Sequence, residues 1–182
     1  YAAVNDPARF TAHLFMEALE RKGVEVEGTA FNRRNIMLED SATSAPMVLV
    51  SHDSPPLSRI LKIINSNSQN LYAELMHRET ALARGYPATF TGGARADKEW
   101  LLENDLHRNG FVMVDGSGLS SINKVSPRML GGILRYMHKS KDAQIFKNSL
   151  TVAGEKSLRN WFQAGKFRSV REAMRAKSGY IE

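Results

Sequence analysis

The chain has 182 residues, 42% of them hydrophobic and 24% charged, with a formal net charge of +6 and no cysteine. That length supports one domain with a real core, and the composition excludes a disordered tail, a collagen or a coiled coil. No apolar run approaches the roughly 18 residues of a membrane span, and the lack of cysteine removes disulfides, zinc ribbons and a cysteine nucleophile.

In chain order, Asn5-Asp6-Pro7 predicts a helix start, with Asp6 as N-cap and Pro7 in the first turn. Phe10, Leu14, Ala18 and Leu19 recur at helical spacing, and Gly23 ends the run. The alternation Val24-Glu25-Val26-Glu27 predicts a short strand, and Met47 to Val50 reads as a buried one. Ser54-Pro55-Pro56 starts a helix through Leu57, Ile60, Leu61 and Ile64. The polar run Asn65 to Asn70 predicts a turn, because short polar side chains compete for backbone hydrogen bonds. A helix with Leu71, Leu75 and Met76 on its apolar side follows. Gly85 to Gly93 reads as loop, and Lys98 to Asn109 as helix closed by Gly110. Phe111 to Val114 reads as strand, and Asp115-Gly116-Ser117-Gly118 as the turn after it. Ser126-Pro127 caps a helix through Met129, Leu130, Ile133, Leu134 and Met137. Ala143 to Phe167 mixes short helix and loop, and Ala173 to Ile181 predicts a strand. A strand candidate at the last residues and a first residue, Tyr1, that is not methionine predict a piece of something larger.

The charge is uneven. From Lys156 to Lys177 there are seven basic residues and one acidic residue, Glu172, interleaved with Trp161, Phe162 and Phe167. This is the composition of a nucleic-acid surface, and more commonly of a solvated face over an aromatic core. Neither a His-Glu-x-x-His nor a phosphate-binding Gly-x-x-x-x-Gly-Lys motif occurs, and Gly116-Ser117-Gly118 lacks the third glycine of a dinucleotide loop. Glu74 and His77 have the spacing of half a di-iron site, but no second half exists. No metal or cofactor is expected.

Two short motifs carry more. Ser68-Gln69-Asn70 sits in the polar turn, and Lys177-Ser178-Gly179 sits on the last strand candidate. Each is weak alone. In this order they match the second and third motifs of the serine enzymes that process penicillins, whose first motif is Ser-x-x-Lys. The segments His52-Asp-Ser-Pro-Pro-Leu-Ser58, Ile64 to Glu74, Asp115-Gly-Ser-Gly-Leu-Ser120, Val125-Ser-Pro127 and Leu150-Thr-Val-Ala-Gly154 extend the match. Together they resemble the D-alanyl-D-alanine carboxypeptidases and endopeptidases of the class C low-molecular-mass penicillin-binding proteins, over almost the whole chain.

The resemblance implies an α+β penicillin-recognising fold, an antiparallel sheet flanked by helices. Residues 1–182 would be the later portion of one such domain, with the segment bearing the nucleophile upstream and the closing strands downstream both absent. It implies a serine peptidase acting on D-Ala-containing peptidoglycan peptides outside the cytoplasmic membrane, in the periplasm or beyond. The enzyme would be acylated by β-lactams and need no nucleic acid or cofactor. Ser68, Asn70 and Lys177 would be catalytic, and Ser178, Gly179 and the N–H of Tyr180 would bind substrate, with Asp115 and Ser117 at the site border. One literal Ser-x-x-Lys, Ser121 to Lys124, lies downstream of Ser68 and is in the wrong order for the family. The chain alone is therefore expected to be inactive. The other readings are a non-catalytic wall-binding homologue and a basic nucleic-acid-binding domain.

Overall fold

The computed structural model describes residues 4–32, 50–158, 169 and 173–179. The chain divides into two compact units, Tyr1–His52 and Asp53–Glu182. In the first, α1 spans Pro7–Glu20. Asp6 Oδ1 accepts the Arg9 N–H at 3.0 Å and an Asn32 amide N–H at 3.1 Å, so the predicted cap also ties the helix to the following segment. Val24 to Glu27 form no strand, because a strand needs a ladder partner and none is present among the described residues. The Val24 N–H instead closes the end of α1 on the Leu19 carbonyl at 3.0 Å. The strand expected at Met47 to Val50 lies, but for its last residue, outside the described residues.

The second unit holds α2 (Leu57–Asn67), α3 (Asn70–Ala83), α4 (Phe90–Glu103), α5 (Pro127–Lys139) and α6 (Ala143–Ser149). A two-stranded antiparallel sheet follows, β1 (Thr151–Val152) paired with β2 (Arg175–Ala176), in register Thr151 opposite Ala176 and Val152 opposite Arg175. The strand expected over Ala173 to Ile181 thus reduces to two paired residues, and residues 180–182 lie outside the described set. Phe111 to Val114 likewise contributes only a single bridge, Val112 to Lys124.

Helix α4 starts eight residues earlier than its apolar pattern predicts and ends at Glu103. Thr89 supplies the cap, its Oγ1 accepting the Gly92 N–H at 3.1 Å. The glycines that read as loop are required by packing. A Cβ on Gly92 would lie 2.1 Å from the Pro87 carbonyl oxygen, and one on Gly93 would lie 2.3 Å from His77 Nε2. We expect Gly92→Ala to lose about 2 kcal/mol, an overpacking cost of up to ~3 kcal/mol less ~1 kcal/mol of helix propensity. Gly131→Ala, in exposed α5 with nothing near its Cβ, gains up to ~1 kcal/mol. Thermal unfolding of the two variants checks both signs.

Helices α3 and α4 pack through small residues, Ala81 and Ala96, both fully buried. Their rim is charged. Arg84 forks onto both oxygens of Glu103 at 2.8 and 2.7 Å, and Arg95 lies 4.3 Å over the Tyr86 ring while bonding Glu99 at 3.1 Å. Trp100 meets Tyr136 edge to face at 5.1 Å, which ties α4 to α5. Leu71 and Leu75, the expected apolar side of α3, are 63% and 47% exposed, and the residues it buries are His77 and Ala81.

Candidate active site

The polar run at the end of α2 is used residue by residue. Asn65 Nδ2 donates to Ser149 Oγ at 2.8 Å, and Ser66 Oγ donates to the Ser149 carbonyl at 3.3 Å. Asn67 Oδ1 accepts from Lys156 Nζ at 2.7 Å. These side chains bond to another part of the fold instead of competing with their own backbone, so the helix runs on to Asn67 and the predicted turn shrinks to Ser68 and Gln69. Ser68 takes the left-handed conformation, φ 52 and ψ 50, which a side-chain-bearing residue adopts at a cost of about 1–2 kcal/mol. Asn70 opens α3. Both side chains are exposed, and neither makes a hydrogen bond among the described residues.

One turn further along α3, on the stripe shared by residues four apart, Glu74 Oε2 accepts the Gly116 N–H at 2.8 Å. This docks the Asp115–Ser120 turn beside the start of α3. Gly116 is obligatory there, since a Cβ would lie 2.4 Å from His77 Cβ and 2.7 Å from the Ala73 carbonyl oxygen. Asp115 is turned into its own loop. Its Oδ1 accepts from Ser117 Oγ at 3.0 Å and from Gly118 N at 2.5 Å, and its Oδ2 accepts from Ser120 N at 2.9 Å. Asp115 and Ser117, expected at the site border, therefore organise the turn that borders α3.

Desolvation pushes the Asp115 carboxyl up, but bonds from Gly118, Ser117, Ser120 and Asn123 outweigh it and hold the group below its ordinary 3.8. A depressed carboxyl stabilises the fold fully above its unfolded value and loses that contribution as pH falls through the folded one. We expect the Gly118 and Ser120 amide resonances to lose their bonded shifts on acidification with a midpoint below 3.8. Titration at or above that value, or the same shifts in Asp115→Asn, would sink this account.

The Glu74 and His77 pair has no shared ligand geometry. Glu74 serves Gly116 and Arg78, while buried His77 places Nδ1 3.1 Å from Asp97 Oδ2 and Nε2 3.3 Å from the Phe90 carbonyl oxygen. Burial raises the Asp97 carboxyl above its ordinary value, although the facing imidazole pulls it down.

On the other motif, Lys177, Ser178 and Gly179 continue from β2. Lys177 is exposed and its ammonium donates to the Ser178 carbonyl. Ser178 is half-buried, and a Cβ on Gly179 would meet open space. Tyr180 lies outside the described residues, as does most of the basic stretch between Lys156 and Lys177. No hydrogen bond joins Ser68 or Asn70 to Lys177 among the described residues, but both motifs are tied to one short segment. Ser66, two residues before Ser68, bonds Ser149, and Ala176, one residue before Lys177, pairs with Thr151.

Residues 1–182 match the D-Ala-D-Ala carboxypeptidase 3 (S13) family. The chain belongs to this family. It is 28% identical over 155 residues to the D-alanyl-D-alanine carboxypeptidase DacB of Haemophilus influenzae, covering 84% of this chain and 30% of that one. It is 32% identical over 152 residues to a D-alanyl-D-alanine carboxypeptidase of Actinomadura sp., covering 84% of this chain and 28% of the relative. A crystal structure of penicillin binding protein 4 from Haemophilus influenzae, complexed with a β-lactam, superposes with a TM-score of 0.74 at 26% identity, over 90% of this chain and 37% of that one. The fold is therefore the penicillin-binding-protein fold, and the chain spans about 30% of the length of the first of these relatives.

Sequence reasoning missed Asp97 and Lys156. Asp97 carries no local signal, being a helical carboxylate twenty residues from its partner. Lys156 was visible only as part of a basic run, with nothing to pair it to Asn67.

Proposed function

We propose that the whole protein is a serine D,D-carboxypeptidase and endopeptidase of the cell envelope, acting on D-Ala-containing peptidoglycan peptides and acylated by β-lactams. The observation that carries the reading is the common anchor of the two motifs on Ser149 to Thr151, with Ser68, Asn70 and Lys177 all open to solvent. Family membership and the β-lactam complex of the structural relative support it.

The nucleophile is a Ser-x-x-Lys serine contributed by sequence outside these residues. Ser121 is a poor substitute. Residues 121–124 form a turn and a bridge, so Ser121 and Lys124 do not share the helical face that brings residues three apart together. In the proposed reaction the serine oxygen bonds to the carbonyl carbon of the penultimate D-Ala, and the C–N bond to the last D-Ala breaks. Ser68 passes the proton to the leaving amine. Asn70 holds the substrate amide, using the donor and acceptor of one side chain. Lys177 faces the terminal carboxylate, Ser178 gives it a hydroxyl donor, and Gly179 leaves room for the substrate along the strand. The N–H of Tyr180 is one donor to the developing oxyanion. Water then hydrolyses the serine ester.

The test is intact mass of the whole protein after exposure to benzylpenicillin, with the modified peptide mapped. One adduct on an upstream Ser-x-x-Lys serine is expected, and none on the 182-residue chain alone. No adduct on the whole protein, or one on Ser121, overturns the reading.

A further inference from the structure

Among the described residues, three other than glycine hold φ in the left-handed region, Ser68 at 52°, Asp105 at 49° and Lys156 at 44°. Asp105 follows the end of α4, and aspartate visits this region more readily than most residues. Serine and lysine have no such ease, and glycine would take either position without the steric cost. The two strained residues are joined. Lys156 Nζ donates at 2.7 Å to Oδ1 of Asn67, the last residue of α2 and the neighbour of Ser68, across 89 positions of the chain. The backbone around Lys156 is itself fixed. The Glu155 N–H bonds the Val152 carbonyl at 3.1 Å, the Leu158 N–H bonds the Glu155 carbonyl at 2.8 Å, and the Gly154 N–H bonds the carbonyl of fully buried Leu158 at 2.9 Å. Lys156 and Asn67 are both exposed, so water competes for their bond and it adds little to stability. Backbone strain that stability does not explain points to function.

We propose that Asn67 and Lys156 are positioning residues for the peptidase reaction, a strap that fixes the end of α2 so that the Ser68 hydroxyl stands on the proton's path to the leaving amine. The inference rests on the proposed function and adds these two residues to it. A long side chain is needed at 156 despite the backbone cost, because the strap runs from the turn after β1 to the end of α2. Asn65 and Ser66 are tied to Ser149, so all three residues before Ser68 are then held by residues 149–156. Rate depends steeply on such placement, a misplacement of about 1 Å costing up to ~10²-fold.

Release of D-Ala from an acyl-D-Ala-D-Ala peptide by the whole protein tests it. Lys156→Gly relieves the backbone strain and removes the strap, so its melting temperature equals or exceeds the parent's while kcat falls about tenfold and KM stays within about twofold. A merely structural lysine would move stability and turnover together. Asn67→Ala slows turnover to the same extent, and the double variant is no slower than either single one, as a shared bond requires. Lys156→Arg keeps both the strain and a donor, and keeps most of the turnover. Lys156→Gly with the parent's kcat overturns the proposal, as do additive losses in the double variant or a Lys156→Arg enzyme as slow as Lys156→Gly. Amide hydrogen exchange at Ser68 needs no activity. It quickens in Lys156→Gly, and exchange unchanged from the parent also overturns the strap. A parent that neither releases D-Ala nor takes up penicillin overturns the peptidase reading itself, a result distinct from an active parent that the strap variants leave unchanged.

Discussion

Ser68→Ala in the whole protein slows release of D-Ala from an acyl-D-Ala-D-Ala peptide about 10²–10⁴-fold, the span associated with losing a positioned proton-transfer group. The fold already commits resources to this residue. Ser68 stands in left-handed backbone at the end of α2, where glycine would be the easier choice. Its neighbours Asn65, Ser66 and Asn67 are each bonded elsewhere, while its own hydroxyl is left open. Alanine keeps the backbone problem and removes only the hydroxyl, so thermal unfolding changes little while kcat falls. In the proposed mechanism the proton for the leaving amine then has no carrier, and acylation by penicillin slows as well, because a lactam nitrogen needs the same proton. Lys177→Ala behaves differently. The fixed charge proposed to face the substrate carboxylate would act in binding as well as in the transition state, so KM is expected to rise along with the loss in kcat. A Ser68→Ala enzyme with wild-type turnover would remove Ser68 from the mechanism, whatever its effect on stability.

Some elements were legible because their signals are local. The ends of α1 and α5 follow from Asp6-Pro7 and Ser126-Pro127, whose side chains accept the N–H groups of Arg9 and Met129 at 3.0 and 3.2 Å. The start of α4 was illegible because Gly92 and Gly93 read as loop formers by propensity. Their reason for being there is the Pro87 carbonyl and the His77 ring, both non-local in the helix pattern. The polar run before α3 misled in the same way, since its competition with the backbone is cancelled by Ser149, more than eighty residues on. The two motifs were recognisable by residue type and order. Their common anchor on Ser149 to Thr151 was not, because two-residue strands leave no alternation to read.

His77→Ala costs the fold about 3 kcal/mol at neutral pH, the lower end of the range for truncating a large buried ring, here one that lies 3.1 Å from the Asp97 carboxylate. The lower end applies because the His77 side chain is 5% exposed but that of Asp97 is 28% exposed. The ring fills the space between Gly93 of α4 and Gly116 of the Asp115 turn, two positions kept free of Cβ atoms for it. Its loss therefore opens a cavity and leaves the Asp97 carboxylate without its partner. The two effects separate by pH. Burial already raises the Asp97 carboxyl above its ordinary 3.8, against the pull of His77. A raised carboxyl binds its proton more tightly when folded, so it weakens the fold as pH climbs through that value. Without the imidazole the carboxyl rises further, and the variant regains stability relative to the parent on acidification, as Asp97 becomes neutral. His77→Phe, which keeps a ring in the slot, shows the same pH-dependent part with less of the constant part. Denaturant unfolding of both variants at neutral and acid pH measures the split. A loss that is the same at both pH values would reduce His77 to packing, and the pairing with Asp97 would carry none of the stability assigned to it.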